Sequence, residues 1–221
     1  MCFSAEADLV SGVVLSGVGV DALRHLPHRR YLPLAILPLL FGVHQVIEAF
    51  AWWGLEGRVG REAGSAAVWA YLAIAFVVLP PLVPAAMHSV EGDPRRRRRL
   101  MFLVVLGAGV AAALVPGLLD DRAGAEVACR YIAYDAGVPY AGFLLPFYVA
   151  ATCGPMLLSG NRHFVVFGVA NLTAVGMLSW LLASGVISLW CAWAAVTSVV
   201  IARHLRVEAR RESREAAAAP A

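Results

Sequence analysis

Every basic residue of the chain is an arginine, and the arginines fall on alternate sides of a series of apolar runs. Arg24, Arg29 and Arg30 follow the first run, Arg95 to Arg99 the third, Arg162 the fifth, and Arg203, Arg206, Arg210, Arg211 and Arg214 the last. Only Arg58, Arg61, Arg122 and Arg130 stand in the other connections. Arginine and lysine collect on the cytoplasmic side of helical membrane proteins. The pattern therefore predicts an all-α, polytopic membrane bundle with the arginine-rich ends inside. Composition agrees: of 221 residues 60% are hydrophobic and 15% charged, against roughly 25% charged in soluble domains.

A helix rises about 1.5 Å per residue, so a crossing of a ~30 Å hydrocarbon core takes about 20 residues. Seven runs have that length: Ser4 to Leu23, Tyr31 to Trp53, Ser65 to His88, Leu100 to Leu119, Pro139 to Leu158, His163 to Ala183, and Val186 to His204. With the arginines inside, the N-terminus is outside and the C-terminus inside. Residues 1–207 form one seven-helix domain, and 208–221, charged and then alanine-rich, form a tail expected to be disordered. The first run starts at residue 4 with no basic segment before it, so no cleavable signal peptide is expected. The partners implied are the lipid bilayer and, at the basic inner face, anionic lipid headgroups. Nucleic acid is not one of them, because the basic residues belong to the helix flanks. The absence of lysine excludes a retinal Schiff base.

Prolines in the second, third and fifth runs favour kinks: Pro33 and Pro38, then Pro80, Pro81 and Pro84, then Pro146 and Pro155. Gly12, Gly17 and Gly19 suggest close helix contact in the first run. The loop from Asp120 to Pro139, with Cys129, Arg130, Tyr131, Tyr134 and Asp135, is the longest outer connection and is expected as a lid.

The strongest chemical candidate is His44-Gln45-Val46-Ile47-Glu48. His44 and Glu48 are four apart and share a helix face, which Trp52 continues outward. A carboxylate in a bilayer is expensive, so Glu48 is expected to point inward to a partner or water. It is either a ligand, metal or proton site, or a local bond that glues helices. Cys2 is the second candidate: a thiolate that could bind metal or act as nucleophile, one half of a disulfide, since Cys2, Cys129 and Cys191 all fall near the outer side, or a plain buried thiol. Cys153 reads as packing. Ser4 is expected to cap the first helix, with Glu6 and Asp8 complementing its dipole; alternatively Glu6 forms a carboxylate pair with Glu48 across the mouth. Trp52, Trp53, Trp69, Trp180, Trp190 and Trp193 read as an aromatic belt or as pocket lining. Asn171 and Thr173 are expected in interhelical hydrogen bonds. His25, His28, His88, His163 and His204 flank inner helix ends.

Met1-Cys2-Phe3-Ser4-Ala5, Leu37 to Glu48 (LPLLFGVHQVIE), Ile132 to Asp135 (IAYD) and Ile187 to Ala195 (ISLWCAWAA) resemble an uncharacterised bacterial family of small multi-spanning membrane proteins. The resemblance spans the chain and implies a bacterial plasma-membrane location. It implies recurring roles for Gln45, Glu48, Tyr134, Asp135, Trp190 and Cys191, with glutamine permitted at the position of His44, and it does not extend to Cys129. It implies no activity.

Three functions compete. The leading one is a sensor or transporter binding a small-molecule ligand in an outward polar pocket formed by Cys2, Glu6, His44, Gln45, Glu48, Trp52, Tyr134, Asp135, Trp190 and Cys191. A sensor would need a protein partner on the basic inner face. The second is a membrane-embedded enzyme using thiolate, histidine and carboxylate groups, to which zinc or copper would be suited. The third is a structural or assembly subunit.

Overall fold

The computed structural model describes residues 4–26, 28–120, 122–128, 131–181, 198–203 and 205–207. Among these the chain is mostly helical, with α1 Ala5–Arg24, α2 Leu32–Leu55, α3 Arg61–Ala73, α4 Leu79–Val90, α5 Pro94–Leu119, α6 Ala141–Leu157 and α7 Arg162–Leu181. A 3₁₀ turn, Arg29–Tyr31, leads into α2, and a π-helical segment, Ile74–Val78, joins α3 to α4 in one continuous rod. Residues 198–203 and 205–207 are also helical. Three rods are long and apolar enough to cross a membrane: Arg29–Leu55, Arg61–Val90 and Pro94–Leu119. α6 is apolar but shorter, and α1 carries Glu6, Asp8, Asp21 and Arg24. Of the expected seventh run, residues 186–197 and 204 lie outside the described residues.

α1 starts as its sequence predicts: the Ser4 hydroxyl accepts the Ala7 N–H at 3.3 Å. Its buried face is Ala5, Asp8, Gly12, Leu15, Gly19 and Ala22, an alternation of three and four that keeps one stripe against α2. Small residues let the two backbones meet. A Cβ on Gly12 would lie 2.8 Å from the Gly42 carbonyl oxygen, and one on Gly19 would collide with the Leu39 backbone. Gly17 faces open space and takes no part.

α5 begins six residues before the expected Leu100. Asp93 accepts the N–H groups of Arg95 at 2.7 Å and Arg96 at 3.2 Å, and Pro94 supplies a helix-ready φ at the first position. The N–H groups of Arg96 and then Arg95 hold the Asp93 carboxyl below its usual range. The five arginines therefore ride on the opening turns of α5 instead of filling a loop.

The connection after α5 is more ordered than a loop. Gly124–Ala128 (β1) and Tyr131–Asp135 (β2) form an antiparallel hairpin with Val127 opposite Ile132 and Ala125 opposite Tyr134. Asp135 accepts the N–H of Gly137, whose φ of 69° needs a glycine. A Cβ on Gly117 would strike the Ala136 carbonyl, so the hairpin base sits directly on α5.

One apolar core joins Ala22, Leu34, Leu37, Met87, Leu100, Phe164 and Leu205. The C-terminal end of α1, the α4–α5 and α6–α7 turns and residues 205–207 therefore share one end of the bundle. Arg206 donates to Asp21 there at 2.6 Å, and the Gly160 N–H donates to Glu91 at 3.1 Å. That is the arginine-rich end. Between α6 and α7, the Asn171 amide reaches Met156 Sδ at 4.0 Å. Thr173 makes no cross-helix bond of the expected kind among the described residues; its hydroxyl donates to Val169 of its own helix, which is common for threonine in apolar helices.

Candidate functional site

The polar groups lie at the other end, on the α1–α2 seam. Ser11 meets Gln45 at 3.4 Å and Gly12 meets Val46, so the antiparallel register brings Asp8 level with Glu48. Exposure is 3% for Asp8, 0% for His44, 1% for Gln45, 1% for Glu48 and 4% for Trp52. The Trp52 indole N–H lies next to the Asp8 carboxylate. Among the described residues, His44 Nδ1 and Gln45 Nε2 are buried without a hydrogen-bond partner. A buried polar atom left so costs about 1–3 kcal/mol, which marks the seam as unusual.

His44, on the face of α2 that it shares with Glu48, turns toward α3 just ahead of the π-helical segment. Leu79 N–H reaches back five residues to Ile74. In the same pattern Pro80 would serve Ala75, but proline has no N–H. Tyr148 from α6 donates its hydroxyl to that Ala75 carbonyl at 2.9 Å. Just before the segment, His44 Nε2 bonds the Tyr71 carbonyl at 3.0 Å. A carbonyl only accepts, so Nε2 carries the proton and Nδ1 of the neutral ring is an acceptor. The imidazole also stacks on the Tyr71 ring at 3.9 Å and 12°, and Tyr71 stacks on Tyr134 at 4.3 Å and 13°. Three rings from α2, α3 and β2 thus form one column. Its last member belongs to the hairpin, whose Ile132 is buried with Ala5, Ala49, Trp52 and Ala67. The hairpin covers the end of the bundle where the seam lies.

A family model described as a family of unknown function (DUF6629) matches residues 1–218. The chain belongs to DUF6629. This agrees with the resemblance to an uncharacterised family carried by its four stretches. No curated protein and no solved structure matches the chain.

In this DUF6629 member, the described part of the expected set is only partly gathered. His44, Gln45, Glu48, Trp52 and Tyr134 come together. Glu6 does not join them: its side chain is 60% exposed and accepts from Arg58 at 2.8 Å. α1 turns Asp8 inward instead, because Asp8 and not Glu6 is in phase with Gly12 and Gly19. Asp135 is exposed and lines, with Tyr134, Phe76, Leu114 and Tyr148, an apolar crevice of ≈ 230 Å³. Cys2, Trp190 and Cys191 lie outside the described residues, as do Cys129 and Trp193. Cys153 is buried, in keeping with packing. Trp69 is half exposed and lines a groove of ≈ 770 Å³ with Gly54, Arg61 and Ala125.

Sequence reasoning missed Asp8 and Tyr71. The signal for Asp8 was available in the three–four spacing from Ala5 to Ala22. Tyr71 had none, because its part depends on a backbone carbonyl and on a ring from β2. Among the described residues no three His, Cys, Asp or Glu side chains are grouped to hold a metal ion. The arrangement provides a buried strip of carboxylates, amide and indole beside a rigid aromatic column.

Proposed function

We propose that the chain is a seven-crossing plasma-membrane protein, N-terminus outside, that binds a small ligand at the covered outer end of the α1–α2 seam. It serves as the receptor part of a sensor or as a transporter. The arginine distribution supports the orientation. The arginines at the inner face attract anionic headgroups at about 1 kcal/mol each, and that face would dock a sensor's protein partner.

The observation that carries the binding reading is the burial of Asp8, Gln45 and Glu48 on one seam. Insertion scales charge roughly 2.5–3.5 kcal/mol for an aspartate at mid-membrane. One hydrogen bond inside a membrane returns on average about 0.6 kcal/mol. Polar side chains kept buried in a membrane at that cost are functional by default, and a ligand that uses them accounts for their place on the seam.

Thermal-shift screening of the purified full chain, with Glu48→Gln as control, tests this. At least one compound should raise the Tm of the wild type by several degrees and that of the variant by much less. A broad screen in which nothing stabilises the wild type selectively removes the proposal and leaves the structural-subunit reading. Reporter fusions at residue 92 and residue 124 check the orientation, with the first expected inside and the second outside.

A further inference from the structure

We infer that the groove between α3 and the hairpin binds an amphipathic organic anion, with Arg61 taking its oxyanion head and Trp69 and Leu72 its apolar body.

The groove has a volume of ≈ 770 Å³, within the roughly 300–1,000 Å³ usual for small-molecule sites. None of the polar residues of the α1–α2 seam lines it, so it is a separate site. One wall is a stripe of α3 whose polarity is graded. Arg61 stands at the first position and Ser65 one turn on, and Val68, Trp69 and Leu72 follow on the same face. At 1.5 Å per residue the stripe runs for about 16 Å, charged at one end and apolar at the other. Facing it are Leu118 of α5 and the start of β1. The base is fixed where Gly54 of α2 meets Gly64 of α3, backbone to backbone. On the hairpin side a Cβ at Gly124 would meet nothing within 4 Å, so the space there is open.

Among the described residues that line the groove, Arg61 alone is charged. It is also unpaired. Arg58 is shared by Glu6 and Glu56 and lies over the Trp53 ring, and Arg122 pairs with Asp120. Arg61 makes no such contact among the described residues. It stands beside the positive end of the α3 dipole, where a basic side chain is unfavourable and an anion is favoured. Glu62, in the same turn, does not line the groove. Two more donors follow Arg61 along the stripe. Ser11, Ser89 and Thr152 give their hydroxyls to carbonyls of their own helices, but the Ser65 hydroxyl and the Trp69 indole N–H reach no described partner. A cation would be repelled here, and a neutral ligand would leave the guanidinium unused. An oxyanion uses all three donors, the one to Arg61 being charge-assisted. A bare inorganic anion would fill only one end of the graded wall. A phosphate or carboxylate on an alkyl or aryl body has the required chemistry, whether it arrives as a free amphiphile or as the headgroup of an anionic lipid.

The test follows tryptophan fluorescence of the full chain in phosphatidylcholine nanodiscs, with bromine on each probe as a contact quencher. Trp69→Phe isolates the share of the signal that belongs to the groove. Bromooctyl phosphate is the free amphiphile, bromooctanol and bromooctyl-trimethylammonium are its neutral and cationic comparisons, and inorganic phosphate is a competitor without a body. The lipid arm compares chain-brominated phosphatidylglycerol with chain-brominated phosphatidylcholine at equal fraction. The Trp69 share should be quenched saturably by bromooctyl phosphate, or more by the brominated phosphatidylglycerol than by the phosphatidylcholine. The first outcome assigns a free amphiphile and the second a lipid headgroup, and either supports the site. Arg61→Gln should weaken the phosphate probe's binding about tenfold, the value of one charge-assisted hydrogen bond, and leave bromooctanol unchanged.

Equal quenching of the Trp69 share by the alcohol or the ammonium probe overturns the oxyanion assignment, as does unchanged phosphate affinity in Arg61→Gln. Inorganic phosphate that competes as well as octyl phosphate overturns the amphiphile. No Trp69-dependent quenching in either arm overturns the site itself. Arg61 and Trp69 are both exposed, so the variants should fold, and melting curves check this. If Trp69→Phe does not fold, the tenfold loss in Arg61→Gln is read from the Tm shift with octyl phosphate.

Discussion

The two halves of the α1–α2 pair obey different rules. Toward the arginine-rich end, Gly19 rests on the backbone of Leu39 and the flanks are Leu15, Ala22, Leu34 and Leu37. Toward the opposite end, the same interface carries Asp8, Ser11, Gln45 and Glu48. The first half is built as membrane helix pairs usually are, by close backbone approach and dispersion. The second places buried polar side chains at the same interface. Close backbone packing and buried polarity are separated along one pair of helices, and that separation can be tested from both sides.

The largest expected effect is in the adhesive half. Gly19→Leu drives a side chain into the Leu39 backbone and should destabilise the bundle by about 3 kcal/mol, the upper end of overpacking costs. Gly17→Leu, two residues away and facing open space, should leave stability unchanged. Unfolding of the purified variants measures both. Equal tolerance at the two positions would break the comparison.

His44 tests the other half. His44→Ala removes the bond to Tyr71, the stack and the ring volume together, for an expected loss of about 2 kcal/mol. His44→Gln keeps a donor for the Tyr71 carbonyl and should lose less than half as much. The resemblance that admits glutamine here then has a physical reason. If the two variants behave alike, the Tyr71 bond is not what His44 is for.

The smallest effect is at the π-helical segment. Tyr148→Phe leaves the Ala75 carbonyl without the hydroxyl at 2.9 Å and should cost about 1 kcal/mol. Faster amide exchange confined to the segment around Ala75 would sharpen the link between proline, wide turn and tyrosine. A change spread evenly over the bundle would argue against it.

Much of this was legible in the chain. Helix positions followed roughly from apolar length, the cap at Ser4 from a short polar residue before a helical run, and the shared face of His44 and Glu48 from spacing. Less legible was the choice between Glu6 and Asp8. Both lie in the first turn, and the dipole favours either one equally. The phase of Gly12 and Gly19 separates them, and that phase matters only once α2 is known to lie against it. The hairpin was hidden because its strands are short and Ile132 finds its burial against α2 and α3, not within its own segment.

By itself, the sequence determined that the chain is mostly helical with rods long and apolar enough to cross a membrane, because hydrophobic length acts whatever the helices pack against. It also determined that α2 carries buried polar chemistry. The tertiary structure alone decided which carboxylate joins Glu48, which carbonyl holds His44 and which ring closes the column above Tyr71. Those choices depend on the register between helices and on a backbone carbonyl of a neighbouring helix. Such properties belong to pairs of elements, and no single stretch of residues contains them.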